Sequence, residues 1–166
     1  FGFNIGVYFV SNTVKETYSE YDYAPAPASQ LKNMEQYYHQ ETDGNGIDLT
    51  IGAIYTAQNF RIGATISTPT WFDLTDTYCW DMTSNFTDGD RIQLFSPMGS
   101  FDYELTTPFK YSLGAAFTWG FGALSLSWES LNMSQMRIRD SGGRNSLSYM
   151  NDVFKNCYTS QNRLKA

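Results

Sequence analysis

The sequence predicts an all-β chain whose antiparallel strands form part of a transmembrane up-and-down β-barrel. Three observations carry this expectation. Apolar residues recur with a period of two, short and long connections alternate, and the composition is aromatic-rich yet polar on average. Aromatic and charged residues each make up 17% of the chain, the latter below the ~25% of an ordinary soluble domain. The mean hydropathy is nevertheless -0.40. That mixture suits a wall one residue thick, apolar on one side and polar on the other. The aromatic content argues against disorder.

Period two is clearest in Leu124, Leu126 and Trp128, which alternate with Ser125, Ser127 and Glu129. Successive side chains of a strand point to opposite faces, so one face here is apolar and the other small or charged. Ile47, Leu49, Ile51, Ala53 and Tyr55 oppose Asp48, Thr50, Gly52 and Ile54. Phe60, Ile62, Ala64 and Ile66 oppose Arg61, Gly63, Thr65 and Ser67. Tyr111, Leu113, Ala115, Phe117 and Trp119 oppose Ser112, Gly114, Ala116 and Thr118. Near the start, Phe3, Ile5, Val7 and Phe9 oppose Asn4, Gly6 and Tyr8. Each stretch is close to the ~9–11 residues with which a tilted strand crosses a bilayer. Soluble sheets alternate too, but Ser, Thr and Gly would not fill a core.

The connections add to the case. Ala57-Gln58-Asn59 and Gly120-Phe121-Gly122 read as tight turns, whereas 24–43, 83–100 and 139–146 read as long polar loops. Outer-membrane barrels alternate tight periplasmic turns with longer outer loops. Tyr55, Phe60, Trp119 and Phe121 lie at the short-turn ends; Tyr18, Trp71, Phe72, Tyr78, Trp80, Phe101, Tyr103 and Phe109 lie toward the loop ends. Such bands fit interfacial girdles, or ordinary strand aromatics. Six strands are expected: 2–20, 45–57, 60–82, 100–119, 122–137 and 147–165.

Several classes are disfavoured. No run of ~18 apolar residues offers a transmembrane helix. Phe1 begins within a strand-like run, so a signal segment is expected outside this chain. The net charge of -6 disfavours a nucleic-acid partner. His39 is the only histidine, so neither a metal spacing nor a Ser-His-Asp constellation is available. No cofactor and no enzymatic activity are expected. Cys79 and Cys157, without a framework around them, read as unlinked thiols, although an oxidising compartment would permit a bridge.

Two stretches carry a resemblance. DGNGIDLTIGAIYTAQNFRIGATISTPTWFDLTDTY at 43–78 and FDYELTTPFKYSLGAAFTWGFGALSLSWESLNMSQM at 101–136 resemble the FadL-type outer-membrane transporters of long-chain fatty acids and other hydrophobic compounds. The matching features are Gly44-Asn45-Gly46 leading a strand, Arg61-Ile62-Gly63, Thr68-Pro69-Thr70-Trp71, Asp102-Tyr103, Thr107-Pro108 and the hairpin at 119–123. The ending NDVFKNCYTSQNRLKA looks like the next family strand, and residues 1–42 match only loosely. Thr56-Ala57 stands where the family often has proline, a replaceable feature of turn chemistry. The resemblance implies a barrel of about fourteen strands with a plug in its lumen. Residues 1–166 would then be part of one barrel domain, without the N-terminal plug and the closing strands. It also implies passive, plug-gated uptake of fatty acids or other hydrophobic molecules across the bacterial outer membrane, with membrane lipid as the other partner. A non-transporting barrel with structural or adhesive surface loops is the alternative. A soluble all-β domain is a further one, which extraction into buffer without detergent would favour.

Candidate functional residues follow. Pro69 and Pro108, each after a threonine (Thr68, Thr107), cannot donate to a ladder and mark a kink, a lateral gap or two ordinary bulges. Arg61, Thr65, Ser67, Asp102, Glu104, Lys110 and Glu129 share the polar parity and are candidates for lining a lumen. Arg61 and Lys110 are the candidate carboxylate partners, and an internal salt-bridge network is the competing role. The stretch 24–43, with Pro25, Pro27, Met34, Tyr37, Tyr38 and His39, reads as an outer loop that offers a greasy landing site or a packed cap.

Overall fold

The computed structural model describes residues 1–23, 30–142 and 147–166. Pro25 and Pro27 of the expected landing loop, and residues 143–146 of the third expected loop, lie outside the described residues. The described residues form β1 (Gly2–Tyr21), β2 (Leu31–Thr56), β3 (Phe60–Ser67), β4 (Trp71–Phe86), β5 (Arg91–Phe95), β6 (Gly99–Thr106), β7 (Lys110–Trp119) and β8 (Gly122–Asn132). A 3-10 turn (Met133–Gln135), β9 (Arg137–Asp140), α1 (Ser148–Cys157) and β10 (Ser160–Lys165) complete the chain. The strands join one large antiparallel sheet in the order β10-β8-β7-β3-β2-β4-β6-β9, with β1 on β2 and β5 on β4. The sheet is not closed into a barrel. β1 and β2 run for 20 and 26 residues, far beyond the usual ~5–6.

Residue contacts divide the chain into two compact units, Phe1–Phe9 with Gly44–Leu74 and Asp102–Ala166, and Val10–Asp43 with Thr75–Phe101. In the first unit the period of two becomes a ladder of like with like. Tyr55, Ile62, Ala115 and Leu126 are successive cross-strand partners, as are Ala53, Ala64, Leu113, Trp128 and Leu164. Between these rows lie Ile54, Gly63, Gly114, Ser127 and Lys165, and beyond the second row lie Gly52, Thr65, Ser112, Glu129 and Arg163. A one-residue slip would send every side chain to the other face, so the pattern and the register fix each other. The tight turns stand where expected. The Ala57 N–H donates to the Phe60 carbonyl at 2.8 Å, and Trp119 pairs Gly122. A Cβ at Gly122 would lie 2.6 Å from the Trp119 ring, so this turn needs glycine.

Three expected strands are interrupted. The stretch 60–82 breaks at Thr68-Pro69-Thr70 into β3 and β4, and 100–119 breaks at Thr107-Pro108-Phe109 into β6 and β7. The stretch 122–137 gives way to the 3-10 turn before β9. Proline at 69 and 108 removes a ladder donor and fixes φ, which ends regular pairing. The break between β3 and β4 also shifts parity. A Cβ at Gly52 would meet the Thr65 methyl, while Cβ atoms at Gly46 and Gly44 would run into Phe72 and Leu74. Odd residues of β3 therefore share a face with even residues of β4, as across a bulge.

The last expected strand, 147–165, is half helix: α1 fills its first part and β10 the rest. Leu147, Met150, Asn151 and Phe154 are its more covered residues, a period of three to four. Asn151 ties the helix to β9. Its Oδ1 accepts from the Ile138 N–H and its Nδ2 donates to the Ile138 carbonyl, both at 2.8 Å. One side-chain amide thus satisfies both backbone groups of an edge residue, as a neighbouring strand would.

In the second unit, the stretches expected as loops carry strands. β2 begins at Leu31, and β4 pairs β5 from Asp81↔Phe95 to Asn85↔Arg91. These strands are held by polar cross-strand bonds, Asn85 Nδ2 to Asn33 Oδ1 at 3.1 Å and Gln40 Nε2 to Asp76 Oδ2 at 2.9 Å. Their hairpin turns at Gly89, whose φ of 96° is open to glycine at no steric cost.

Replacing Asn151 by alanine leaves the Ile138 N–H and carbonyl without that partner, at a local cost of about 1–3 kcal/mol. Amide exchange at Ile138 is expected to accelerate in that variant. Unchanged exchange would show that the helix does not secure β9.

Candidate functional site

The interrupted strands meet in one place. The Thr107 N–H donates to the Thr70 carbonyl at 3.0 Å, and the Thr70 N–H donates to the Thr107 hydroxyl at 2.8 Å. On the other side the Thr68 N–H donates to the Leu49 carbonyl at 2.8 Å, and the Leu49 N–H donates to the Thr68 hydroxyl at 3.0 Å. The threonine of each Thr-Pro pair therefore supplies an acceptor that a regular ladder would take from a carbonyl. Thr68, Pro69, Thr107 and Pro108 are brought together as adjacent, hydrogen-bonded breaks. Pro108 is buried.

A cleft of about 730 Å³ opens at these breaks. Pro69, Pro108, Phe109 and Met136 give it apolar walls, and Arg137, Arg139, Asp152 and Lys155 give it charge. Sequence reasoning missed this basic group. Arg137 and Arg139 stand in a stretch read as strand end and loop, and Lys155 stands on a helix read as strand.

Next to the breaks is a second polar group that was also missed. Asp48 is buried and accepts from the Tyr8 hydroxyl at 2.8 Å and the Thr70 hydroxyl at 3.3 Å, both on Oδ2. Tyr8 in turn lies 5.9 Å from the Phe72 ring. Asp48 belongs to the small-residue face that Thr50 and Gly52 continue. Its signal was a carboxylate at the polar parity of an otherwise regular strand.

The remaining candidates are spread along that sheet. Thr65 lies opposite Gly52 and Ser112, and Ser67 lies opposite Thr50 and Lys110. The Ser67 and Thr50 hydroxyls are 2.7 Å apart. Lys110 is occupied: its Nζ is 2.9 Å from Glu129 Oε1. Arg61 is exposed between Thr56 and Ala116, four residues and thus about 13 Å along the strand from Thr65. Asp102 and Glu104 are exposed on β6, alternating with the more covered Phe101, Tyr103 and Leu105, and Glu104 is the cross-strand partner of Arg139. Arg61 and Lys110 are therefore not brought together, whereas Lys110 and Glu129 are. Cys79 and Cys157 are free thiols.

A shallow groove of about 630 Å³ lies over Gly52, Gly63, Gly114, Thr65, Ser112 and Ser127, with Phe1 and Phe3 at its side. Gly63 and Gly114 are direct cross-strand partners, so no side chain fills the groove floor there. The opposite face is exposed as well as apolar: Leu124 is 62% accessible, Leu113 49%, Leu126 48% and Phe117 47%. Among the described residues, Leu74 and Ile138 are the buried hydrophobic side chains, each at 8%. Most of this apolar area is therefore not used to form a protein core.

No family model, no curated protein and no solved structure matches this chain.

Replacing Thr107 by valine keeps the shape and removes the acceptor of the Thr70 N–H, at about 1–3 kcal/mol. Thr107→Ser should retain most of the stability. Equal unfolding midpoints for wild type and both variants would show that the hydroxyl does not hold the break.

Proposed function

We propose that this chain forms part of the wall of a bacterial outer-membrane β-barrel that passes hydrophobic compounds, such as long-chain fatty acids, by plug-gated diffusion without a chemical step. One observation carries the reading. The register aligns the apolar residues of five neighbouring strands on one face, and that face is exposed. In water this arrangement forfeits about 25 cal/mol for each Å² of apolar surface left uncovered. In a bilayer the same face meets acyl chains, and every backbone group between the strands remains paired.

The other face suits a lumen. Apart from Ile54 and Leu131, its residues on β3, β7, β8 and the adjoining end of β2 are small or polar, its groove is open, and its ion pair between Lys110 and Glu129 would be costly facing lipid. Thr65, Ser67, Arg61 and Glu129 then line the wall of a path. The breaks at Pro69 and Pro108 lie where that wall is irregular, and they are the places at which a molecule could leave sideways. Closure of the sheet requires further strands, which the resemblance to FadL-type transporters supplies in expectation.

Two measurements test the reading. Arginine at Leu126 or Leu113 is expected to cost ~2–4 kcal/mol of folding stability in lipid vesicles near the bilayer midplane, whereas Ser127→Arg should cost far less. Equal costs on both faces would remove the two-sided wall. Cells lacking the gene should lose uptake of a radiolabelled long-chain fatty acid. Full uptake in those cells would leave a barrel without a transport role.

A further inference from the structure

We infer that the cleft at the strand breaks binds the phosphate-bearing headgroup of a membrane lipid, through Arg137, Arg139 and Lys155. This rests on the membrane reading above and adds a lipid site to it. All three cations line one cleft, with Asp152 in its lining and Glu104 opposite Arg139 on β6 as the carboxylates beside them. Among the described residues none of the three forms an ion pair, in contrast to Lys110, which is held by Glu129. Arg137 and Arg139 are two residues apart on β9, so they emerge on one side of the strand, about 7 Å apart. Guanidinium forks at that spacing can take separate oxygens of one phosphate, and the Lys155 ammonium adds a point charge.

The opposite wall says what kind of phosphate compound fits. Phe109 lines the cleft and stacks on Tyr111 at 6.4 Å between centroids. Tyr111 is the cross-strand partner of Ile66, and Leu113 follows two residues along the same face. Along β7 the exposed surface therefore passes from aliphatic to aromatic to the cationic cleft. That is the order of acyl chains, interface and headgroups across one leaflet. A soluble anion would not need the apolar wall, and a nucleic acid would meet a chain of net charge -6. A fatty-acid carboxylate offers two oxygens, whereas a phosphomonoester offers three terminal oxygens to the two guanidinium forks and the ammonium.

The test uses the protein in phosphatidylcholine nanodiscs doped with either phosphatidic acid or oleic acid, with bound lipid counted by native mass spectrometry. Phosphatidic acid is expected to be enriched on the protein over both phosphatidylcholine and oleic acid. The triple variant R137Q/R139Q/K155Q should lower that enrichment about a hundredfold, at roughly fivefold per cation. R91Q, at an exposed cation on β5, should keep it. R137K/R139K, which preserves the charge, should keep most of it, and normal incorporation of the triple variant into discs checks its fold. Enrichment of oleic acid instead, or none, overturns the proposal while leaving the membrane reading intact. So does displacement of phosphatidic acid by millimolar inorganic phosphate, which would mean a soluble phosphate site. A wild-type protein that stays out of the discs overturns both.

Discussion

The constraint on which the rest depends is the pairing of like with like across neighbouring strands. In the first unit Ile62, Ala64 and Ile66 of β3 each stand opposite an apolar or aromatic residue of β2 and of β7, Thr65 and Ser67 stand opposite small or polar ones, and Ile54 opposite Gly63 is the exception. Backbone hydrogen bonds set the spacing, and the side-chain period of two does the sorting. The result is a single layer with two unlike surfaces. Over β3 and β7 both surfaces carry exposed side chains, Leu113 and Ile62 about half exposed on one and Thr65 and Thr118 on the other. Stability in such a layer comes from the ladder, from cross-strand pairs worth roughly 0.2–1 kcal/mol each, and from the medium that meets the apolar side.

The breaks modify this layer without leaving it unsatisfied. A proline within a paired strand would strand the backbone groups of its neighbours. Here Thr68 and Thr107 turn hydroxyls toward Leu49 and Thr70 and restore the lost acceptors. Asn151 does the same for Ile138 from the helix. The parity shift between β3 and β4 then turns Phe72 and Leu74 toward the face that carries Gly46, Asp48 and Gly52. The small-residue face is thus lined differently on the two sides of Pro69. The same interruptions open the cleft in which Arg137, Arg139 and Lys155 gather.

How much of this was legible follows from the same physics. The strands with one apolar face, such as Phe60–Ser67, Lys110–Trp119 and Gly122–Asn132, were readable because burial contrast writes a period of two into the sequence. The tight turns at 57–59 and 120–121 were readable from their lengths. The Leu31–Asp43 part of β2 was not, because Asn33, Gln36, His39 and Gln40 give it polar residues on both parities, and polar pairs hold it. The helix α1 was hidden by its length of 10 residues, short enough to pass for a strand, although Leu147, Met150 and Phe154 carry a helical spacing. The irregular backbone at Pro69 and Pro108 was legible as well, since proline cannot donate to a ladder. The basic cleft beside them was not, since it needs a 3-10 turn and a helix that a strand reading excludes.

The central claim is that the apolar face meets lipid. It is tested most directly by single spin labels at Leu126 and Ser127, with Cys79 and Cys157 replaced by serine, in protein reconstituted into a bilayer. Adjacent labels on one strand should then differ sharply, with high oxygen and low nickel-chelate accessibility at 126 and the reverse at 127. Equal accessibility to the nickel chelate at both positions would contradict a lipid-facing wall.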